Sequence, residues 1–269
     1  MDLLTRIEVS ELPEKKFHIY FLGQSGYVVK TANAIVYFDP YLTNYIEHSA
    51  GLNDATMRRT FPPPINPENI SKVDAIFCTH AHVDHMDPWT LERINVPFKF
   101  YASIGSYEKN QVAIPEERII FLEPLNEYII KDIKLHPVPA AHYELVDDQG
   151  RPDALSFIIN INEKSLLFWG DGVIYDGLVD KLQKYDFEFA FIPINGRDKE
   201  REAKGIIGNI NAVEVAKLCS KLNIDVLIPN HVDMFKNNSA SIEYFLQCIN
   251  EHCPGQQVKV MHCGDRIEA

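Results

Sequence analysis

An apolar segment that leads directly into a cluster of histidines is the feature that most restricts what this chain can fold into. The segment Val73–Thr79 has the composition of a fully buried strand. Four side chains that can bind a metal ion follow it: His80, His82, Asp84 and His85. Crowding of this kind is unfavourable unless cations neutralise the carboxylate and bind the imidazole nitrogens.

The spacing of these donors favours more than one cation. His80 and His82 are two residues apart, so at an extended strand end they project to the same side and can hold one divalent ion. Asp84 and His85 stand where the chain turns toward a predicted helix, and from there they can reach a second ion. A histidine-rich surface loop is the alternative, but three of the ten histidines fall within these six residues. The sequence therefore predicts a metal site.

Three further potential ligands each follow a predicted strand: His142, Asp171 and His231. Each alone indicates little, because a single histidine is often a structural residue and Gly170-Asp171-Gly172 resembles an ordinary turn. Their occurrence at successive strand ends, in this order after the first cluster, favours one shared site.

The distribution of apolar residues predicts a mixed fold within one domain, residues 1–269. Runs rich in β-branched and aromatic residues predict strands at 17–22, 27–30, 34–39, 73–79, 98–102, 118–122, 127–130, 133–138, 155–160, 165–169, 187–192, 226–228 and 257–262. Helices are predicted at 88–94, with Asp87 as N-cap, and at 105–112, 175–184, 211–222 and 239–250. Two sheets packed face to face, with helices outside, accommodate this order. Residues 44–69 are expected to form a long loop of the kind that often walls a site.

Charge and cysteine content limit the partners that we expect. The formal net charge is −12, and an acidic surface repels nucleic-acid backbones. The five cysteines have no regular spacing, which favours free thiols and a cytoplasmic location. The sequence also predicts neither a signal peptide nor a membrane span, so no membrane partner is expected. It leaves the oligomeric state open, a homo-oligomer included.

The pattern His80-X-His82-X-Asp84-His85, followed by His142, Asp171 and His231, resembles the metallo-β-lactamase superfamily along almost the whole chain. The resemblance implies an α/β fold of four layers, an αββα sandwich, with the site at one edge of the paired sheets. It implies two divalent cations, Zn²⁺ or Mn²⁺. The implied ligands of the first ion are His80, His82 and His142, and those of the second are Asp84, His85 and His231, with Asp171 bridging both. The implied catalytic residues are Asp84, Asp171 and His231.

Shorter motifs resemble one branch of that superfamily. Asp171 stands where antibiotic-hydrolysing members usually have Cys, and His82 stands where flavo-diiron members usually have Glu. The chain also lacks the long inserted domain of the nuclease branches. Residues 21–27, 39–42, 193–198 and 230–235 resemble the L-ascorbate-6-phosphate lactonase-like branch. The resemblance implies hydrolysis of a cyclic ester on a phosphorylated sugar acid.

Several other residues are candidates for supporting roles. Asn195 and Arg197 are predicted to contact a small anionic substrate, although Arg197 could instead pair with Asp198 at the surface. The loop arginines Arg58 and Arg59 are further candidates. Asp39 could orient a ligand imidazole or simply end a strand. Two in-strand histidines are expected to pack: His18 and His136.

Two other functions fit the same ligand pattern. Paired cations serve phosphodiester or other phosphoester hydrolysis equally well. A metal-binding protein without turnover is the other alternative, although all the ligand positions are filled.

Overall fold

Two β-sheets pack face to face in this chain. The structure is a computed structural model that describes residues 1–49, 57–142 and 144–269. Strands are numbered in chain order. The first sheet contains β1 (Phe17–Gly23), β2 (Gly26–Thr31), β3 (Ile35–Phe38), β4 (Ala75–Phe77), β5 (Lys99–Ala102), β6 (Ile119–Phe121) and β14 (Arg266–Glu268). The second contains β7 (Tyr128–Ile130), β8 (Ile133–Ala140), β9 (Ala154–Ile161), β10 (Lys164–Phe168), β11 (Asp186–Pro193), β12 (Asn223–Asn230) and β13 (Gln257–Val258).

Each sheet is antiparallel on one side and parallel on the other. The first has the order β14-β1-β2-β3-β4-β5-β6, with antiparallel pairs from β14 to β3 and parallel pairs from β3 to β6. The second has the order β13-β12-β11-β10-β9-β8-β7, with antiparallel pairs from β7 to β10 and parallel pairs from β10 to β13. The loops after parallel strands leave one edge of a sheet together, which places their first residues side by side.

The two sheets share an aromatic core between their facing surfaces. The ring of Phe38 in β3 stacks on Phe168 in β10, with centroids 4.7 Å apart. Tyr27 in β2 approaches Phe191 in β11 at 4.5 Å. All four side chains belong to one cluster of buried residues from both sheets. Burial of each phenylalanine side chain stabilises the fold by about 1.5–3 kcal/mol.

Helices cover the outer faces of both sheets. They are α1 (Leu3–Val9), α2 (Tyr45–Ser49), α3 (Pro88–Arg93), α4 (Ile104–Lys109), α5 (Leu178–Leu182), α6 (Lys199–Ala203), α7 (Ala212–Cys219) and α8 (Ile242–His252). Leu3 of α1 and Leu91 of α3 pack in the apolar cluster behind the first sheet. Val215 of α7 and Phe245 of α8 pack behind the second. The layers are therefore helix, sheet, sheet and helix, which confirms the predicted αββα sandwich.

Most predicted elements are present, but one predicted strand ends early, and three helices and one strand were not predicted. Asp87 caps α3 as predicted, because its carboxylate accepts a hydrogen bond from the Trp89 amide. The predicted strand at 257–262 is wrong beyond Val258, where the chain leaves the sheet. The sequence did not predict α1, α2, α6 or β14. Helix α1 has only two buried residues to signal it, and β14 depends on pairing with the distant β1.

The long loop predicted at 44–69 lies partly outside the described residues, which stop at 49 and resume at 57. Its described parts contain α2 and a short 3-10 turn at Pro67–Asn69. In the three described stretches of chain, every helix is too short or too polar to cross a bilayer.

Candidate metal centre

All the metal ligands that the sequence predicts come together at one edge of the two sheets. His80, His82, Asp84 and His85 lie in the loop between β4 and α3, and the others follow three strands of the second sheet: His142 after β8, Asp171 after β10 and His231 after β12. Both sheets therefore contribute, and the site spans the seam between them.

Three histidines form the first group of donors. Nε2 of His80 lies 3.0 Å from Nδ1 of His82, and Nε2 of His142 lies 3.1 Å from that same Nδ1. Around a tetrahedral zinc ion with Zn–N bonds of about 2.0–2.1 Å, neighbouring ligand nitrogens stand about 3.3 Å apart. The three nitrogens are thus spaced as ligands of a single cation.

A second group combines carboxylates and imidazoles. Oδ2 of Asp84 lies 3.6 Å from Nε2 of His85 and 3.5 Å from Nε2 of His231. Asp171 faces this group with both oxygens, since Oδ1 lies 3.4 Å from His85 and Oδ2 lies 3.4 Å from His231. Oδ2 also lies 3.9 Å from Nε2 of His142 in the first group. Asp171 therefore stands between the two groups, where a bridging carboxylate belongs.

Two glycines allow Asp171 to take this position. Gly170 has φ +67°, and a Cβ there would lie 2.8 Å from the Thr79 side chain. Gly172 has φ +141°, and a Cβ would lie 2.8 Å from the Ala141 carbonyl oxygen. The Gly-Asp-Gly segment is thus more than a turn signal, because larger side chains would displace the carboxylate from the site.

Asp39 fixes the orientation of the imidazoles from behind. Its Oδ2 accepts hydrogen bonds from the Thr79 hydroxyl and from Nδ1 of His85, both at 2.7 Å. Because the Thr79 hydroxyl gives its only proton to Asp39, it must accept from Nδ1 of His80 at 3.1 Å. Both histidines therefore carry a proton on Nδ1, which leaves a lone pair on Nε2 for a cation.

Electrostatics divide the donors into a neutral group and a charged group. Burial lowers the pKa of His80 well below its usual value, and burial is the largest cause that lowers the pKa of His142 to about 4. Burial also disfavours the charged form of His231, but nearby carboxylates, chiefly Asp171, outweigh it and raise its pKa to about 9. Burial would raise the pKa of Asp171, yet the neighbouring imidazoles hold it well below its usual value. The second group thus needs positive charge, which a cation can supply.

Unsatisfied atoms show that the site fits bound cations. Among the described residues, Nε2 of His85 and Oδ1 of Asp171 are buried without a hydrogen-bond partner. Such atoms are costly unless something fills the space between them. The donor types, their spacing and these two atoms all fit bound divalent cations.

Gln24 is a site residue that the sequence analysis did not single out. Its Nε2 donates to Oδ2 of Asp84 at 2.9 Å and lies 2.9 Å from Nε2 of His231. The backbone holds it there with φ +58°, and its carbonyl accepts from the His231 amide. The motif at 21–27 contained the signal, but nothing local to that turn showed that it faces a loop from the other sheet.

A cavity with a volume of 240 Å³ lies beside the metal centre. Its lining among the described residues is Ile46, Ser49, Met57, His82, Val83, Asp84, Asp171, Gly205, Ile206, Ile207, Phe235 and Asn238. Part of the long loop therefore does contribute to the wall, through α2 and Met57. The lining contains no lysine or arginine in the part of the chain that the structure describes.

The residues predicted to bind substrate lie outside that lining. Arg197 pairs its guanidinium with the carboxylate of Glu214 through contacts of 2.8 and 2.7 Å. This partner differs from Asp198, which the sequence suggested. Asn195 is buried and donates to the side chain of Asn238, which does line the cavity. The structure thus offers Asn195 an indirect contact with the cavity and gives Arg197 a different partner.

The remaining candidate side chains lie away from the cavity. Arg59 is half-buried, donates to the carbonyls of Tyr41 and Thr43, and lies 4.9 Å from the centre of the Tyr41 ring. Arg58 is exposed. His18 lies 3.2 Å from the Tyr20 hydroxyl, and His136 lies 3.4 Å from Glu127. None of these side chains lines the described part of the cavity.

Comparison with known proteins places this geometry in a family. The model of the beta-lactamase superfamily domain matches residues 35–232. A UPF0173 metal-dependent hydrolase from Hyperthermus butylicus is 24% identical, over 92% of this chain and 97% of that protein. A probable L-ascorbate-6-phosphate lactonase, UlaG, from Salmonella heidelberg is 26% identical over 68% of this chain, and the match spans 55% of that protein, little more than half its length.

Solved structures agree on the fold. Igni18, described as a metallo hydrolase from Ignicoccus hospitalis, superposes with a TM-score of 0.69 at 18% identity, covering 94% of this chain and 98% of its own. A possible metal-dependent hydrolase from Veillonella parvula gives a TM-score of 0.71 at 15% identity, covering 93% and 98%. The family match covers most of the chain, and the fold and the donor set agree with it. This protein therefore belongs to the beta-lactamase superfamily, as a metal-dependent hydrolase with the metallo-β-lactamase fold.

Proposed function

We propose that this protein binds two divalent cations, Zn²⁺ or Mn²⁺, and hydrolyses a cyclic ester, that is, a lactone. The observation that carries the proposal is the position of Asp171 between a group of three histidines and a group of one carboxylate and two histidines. When bound, a pair of cations lowers the pKa of water and polarises a carbonyl oxygen.

The residues of this chain then have distinct roles. His80, His82 and His142 would hold the first ion through neutral imidazole nitrogens. The second ion would be held by three other side chains: Asp84, His85 and His231. Asp171 would bind both ions and fix their separation. Asp39 keeps His85 in the required tautomer, so it acts as a positioning residue.

The lactone part of the proposal is supported by the name of the UlaG relative and by the shape of the site. A cavity of 240 Å³ has room for a small ring and a short substituent. The phosphate that the sequence analysis expected on an anionic substrate has less support. Arg197 is paired elsewhere, and no cationic side chain lines the described wall. We therefore propose the cyclic ester without requiring a phosphate group.

A substrate panel tests this proposal. Metal-loaded protein is assayed by pH-stat on simple γ- and δ-lactones, and separately on chromogenic phosphodiesters. We expect lactone hydrolysis that chelator abolishes and that added Mn²⁺ or Zn²⁺ restores. Cleavage of phosphodiesters alone would replace the lactonase with a phosphodiesterase. Metal binding without any turnover would indicate the non-catalytic alternative.

We also propose a cytoplasmic location, supported by the cysteines. All five are free thiols, and Cys78, Cys219 and Cys248 are buried. A homo-oligomer stays a prediction that size measurement in solution can test.

A further inference from the structure

A series of hydrogen-bonded asparagine side chains connects the backbone beside Asp171 to the wall of the cavity. It starts at the Gly172 amide, which donates to Oδ1 of Asn209 at 2.8 Å. A backbone N–H can only donate, so this contact fixes which end of the Asn209 amide is oxygen. Nδ2 of Asn209 then donates to Oδ1 of Asn195 at 3.0 Å. Both side chains are fully or almost fully buried, so water cannot substitute for these bonds.

This series of hydrogen-bonded asparagines ends at Asn238, whose Oδ1 accepts from two donors. Nδ2 of Asn195 donates to Oδ1 of Asn238 at 2.7 Å, and Nη1 of Arg201 donates to the same atom at 3.3 Å. The guanidinium can only donate, and its other nitrogens are held by Asp198 and by the Asn195 carbonyl. The orientation of the Asn238 amide is thus fixed by two donors that both bond to its oxygen.

Fixing the oxygen determines what Asn238 offers to a ligand. The side chain lines the cavity beside the metal centre, and its Nδ2 has no acceptor among the described residues. Within the described residues, its two N–H groups therefore have no acceptor and can donate to a ligand. Turning the amide over would bring Nδ2 against the donors of both Asn195 and Arg201, at the cost of two hydrogen bonds.

We propose that Asn238 is a substrate-binding residue, that its Nδ2 donates to an uncharged acceptor oxygen on the body of the substrate, and that Asn195 is the residue that positions it. The proposal deepens the proposed function, on which it rests, by naming the substrate class. That class is an ester or lactone with a neutral, largely apolar body that carries one ether, hydroxyl or carbonyl oxygen beyond the scissile group.

The rest of the lining favours a neutral body. Apart from the metal ligands, Ser49 and Asn238 are the polar side chains of the described wall, and the others are aliphatic, aromatic or glycine. A single amide donor is a poor replacement for the hydration of a phosphate group, whereas it suits one neutral oxygen in an apolar cavity.

The experiment uses esters that differ by one atom. The reference probe is 4-nitrophenyl hexanoate, and the matched probes replace the methylene at C3, C4 or C5 of the acyl chain by an ether oxygen, with each rate divided by that of the probe's uncatalysed hydrolysis. Metal-loaded wild-type protein should prefer at least one ether probe by about 3- to 10-fold in kcat/KM, the value of one hydrogen bond. Asn238→Ala should lose that preference, and Asn223→Ala, at the far end of β12, is the matched control that should keep it.

A second variant tests the positioning role of Asn195. The carboxylate introduced by Asn195→Asp can accept from Asn209 but cannot donate to Asn238. We therefore expect the Asn238 amide to rotate by 180°, so that the ratio of kcat/KM for the ether probe to kcat/KM for hexanoate falls to the value found for Asn238→Ala. A merely structural effect would lower activity on every probe alike. An equal loss on all probes would therefore show that Asn195 does not position Asn238.

The outcomes separate this proposal from the proposed function. If wild-type protein cleaves the esters without any ether preference, or if Asn238→Ala retains that preference, the role of Asn238 is wrong and the hydrolase survives. If no ester is cleaved, hydrolysis-inert ketones, with a methylene in place of the ester oxygen, are titrated into ¹⁵N-labelled protein. A shift of the Asn238 side-chain amide resonance with the ether-containing ketone alone would support the donor role, and equal or absent shifts would overturn it.

Discussion

Replacing Asp39 by asparagine should weaken one cation site through the tautomer of His85, the metal-ligating histidine whose Nδ1 bonds to Asp39. Asp39 accepts three hydrogen bonds on two oxygens: the Thr79 amide on Oδ1, and the Thr79 hydroxyl together with Nδ1 of His85 on Oδ2. An amide of the same shape can replace only one of those oxygens. The Thr79 N–H can never be an acceptor, so the amide oxygen must face it, and the NH₂ must then face His85.

This orientation has a direct consequence for the metal ligand. An NH₂ group can bond to Nδ1 of His85 only if that nitrogen carries no proton, which moves the proton to Nε2. That atom faces Asp84 and Asp171 at 3.6 and 3.4 Å and would be the one to bind a cation. We therefore expect Asp39→Asn to lower the affinity of the His85-containing site by about 10- to 100-fold. In free energy this is about 1.4–2.7 kcal/mol.

Competition between the protein and a chromogenic chelator measures both metal affinities in one titration. The site that contains His85 should lose more affinity than the site of three histidines, because the Thr79 hydroxyl can still accept from Nδ1 of His80. Asp132→Asn is a matched control, because Asp132 also accepts from a threonine hydroxyl, that of Thr31, but lies elsewhere in the fold. Two affinities equal to those of wild type would refute the tautomer argument.

Three further predictions follow from the same geometry. Because carboxylates raise the pKa of His231 to about 9, this imidazole is protonated at pH 7 in the cation-free protein, so binding of a cation at the second site should release protons and the metal affinity should rise with pH up to about 9. Calorimetry in buffers of different ionisation enthalpy measures the proton release, and a release of zero would contradict the assignment. Asp171→Ala should abolish turnover, because it removes the charge shared by both groups, and steady-state assays that retain a tenth of wild-type kcat would argue against a bridge. Arg197→Ala should leave kcat and KM near wild type and should lower the free energy of unfolding by about 0.5–1 kcal/mol, because the half-exposed ion pair with Glu214 is lost. A large rise in KM would instead support its predicted role in binding an anionic substrate.

The sequence was informative where a function depends on residues close together in the chain. The cluster from His80 to His85 lies within one loop, so its spacing alone indicated that these donors share a site. The αββα fold was also predictable, because alternating apolar runs and helix caps such as Asp87 are local signals. His142 and His231 were identified only because each follows a strand.

What the sequence did not show depends on contacts between distant segments. Gln24 reaches Asp84 across two loops, and its conformation with positive φ is not specified by residue type alone. The proposed role of Asn238 depends on hydrogen bonds from Asn195 and Arg201, which are 43 and 37 residues away in the sequence. The Glu214 partner of Arg197 was missed for the same reason, since the nearer Asp198 instead caps α6. Pairing of this kind is set by how the sheets and loops pack.

The number of metal ions per chain tests the central claim most directly. Two donor groups joined by Asp171 have room for two cations, so protein reconstituted with Mn²⁺ or Zn²⁺ and freed of excess metal should contain close to two ions per chain by elemental analysis. The same measurement on Asp171→Ala should give a clearly lower value. A wild-type content that stays near one ion per chain, even after reconstitution in excess metal, would contradict the bridged two-metal centre.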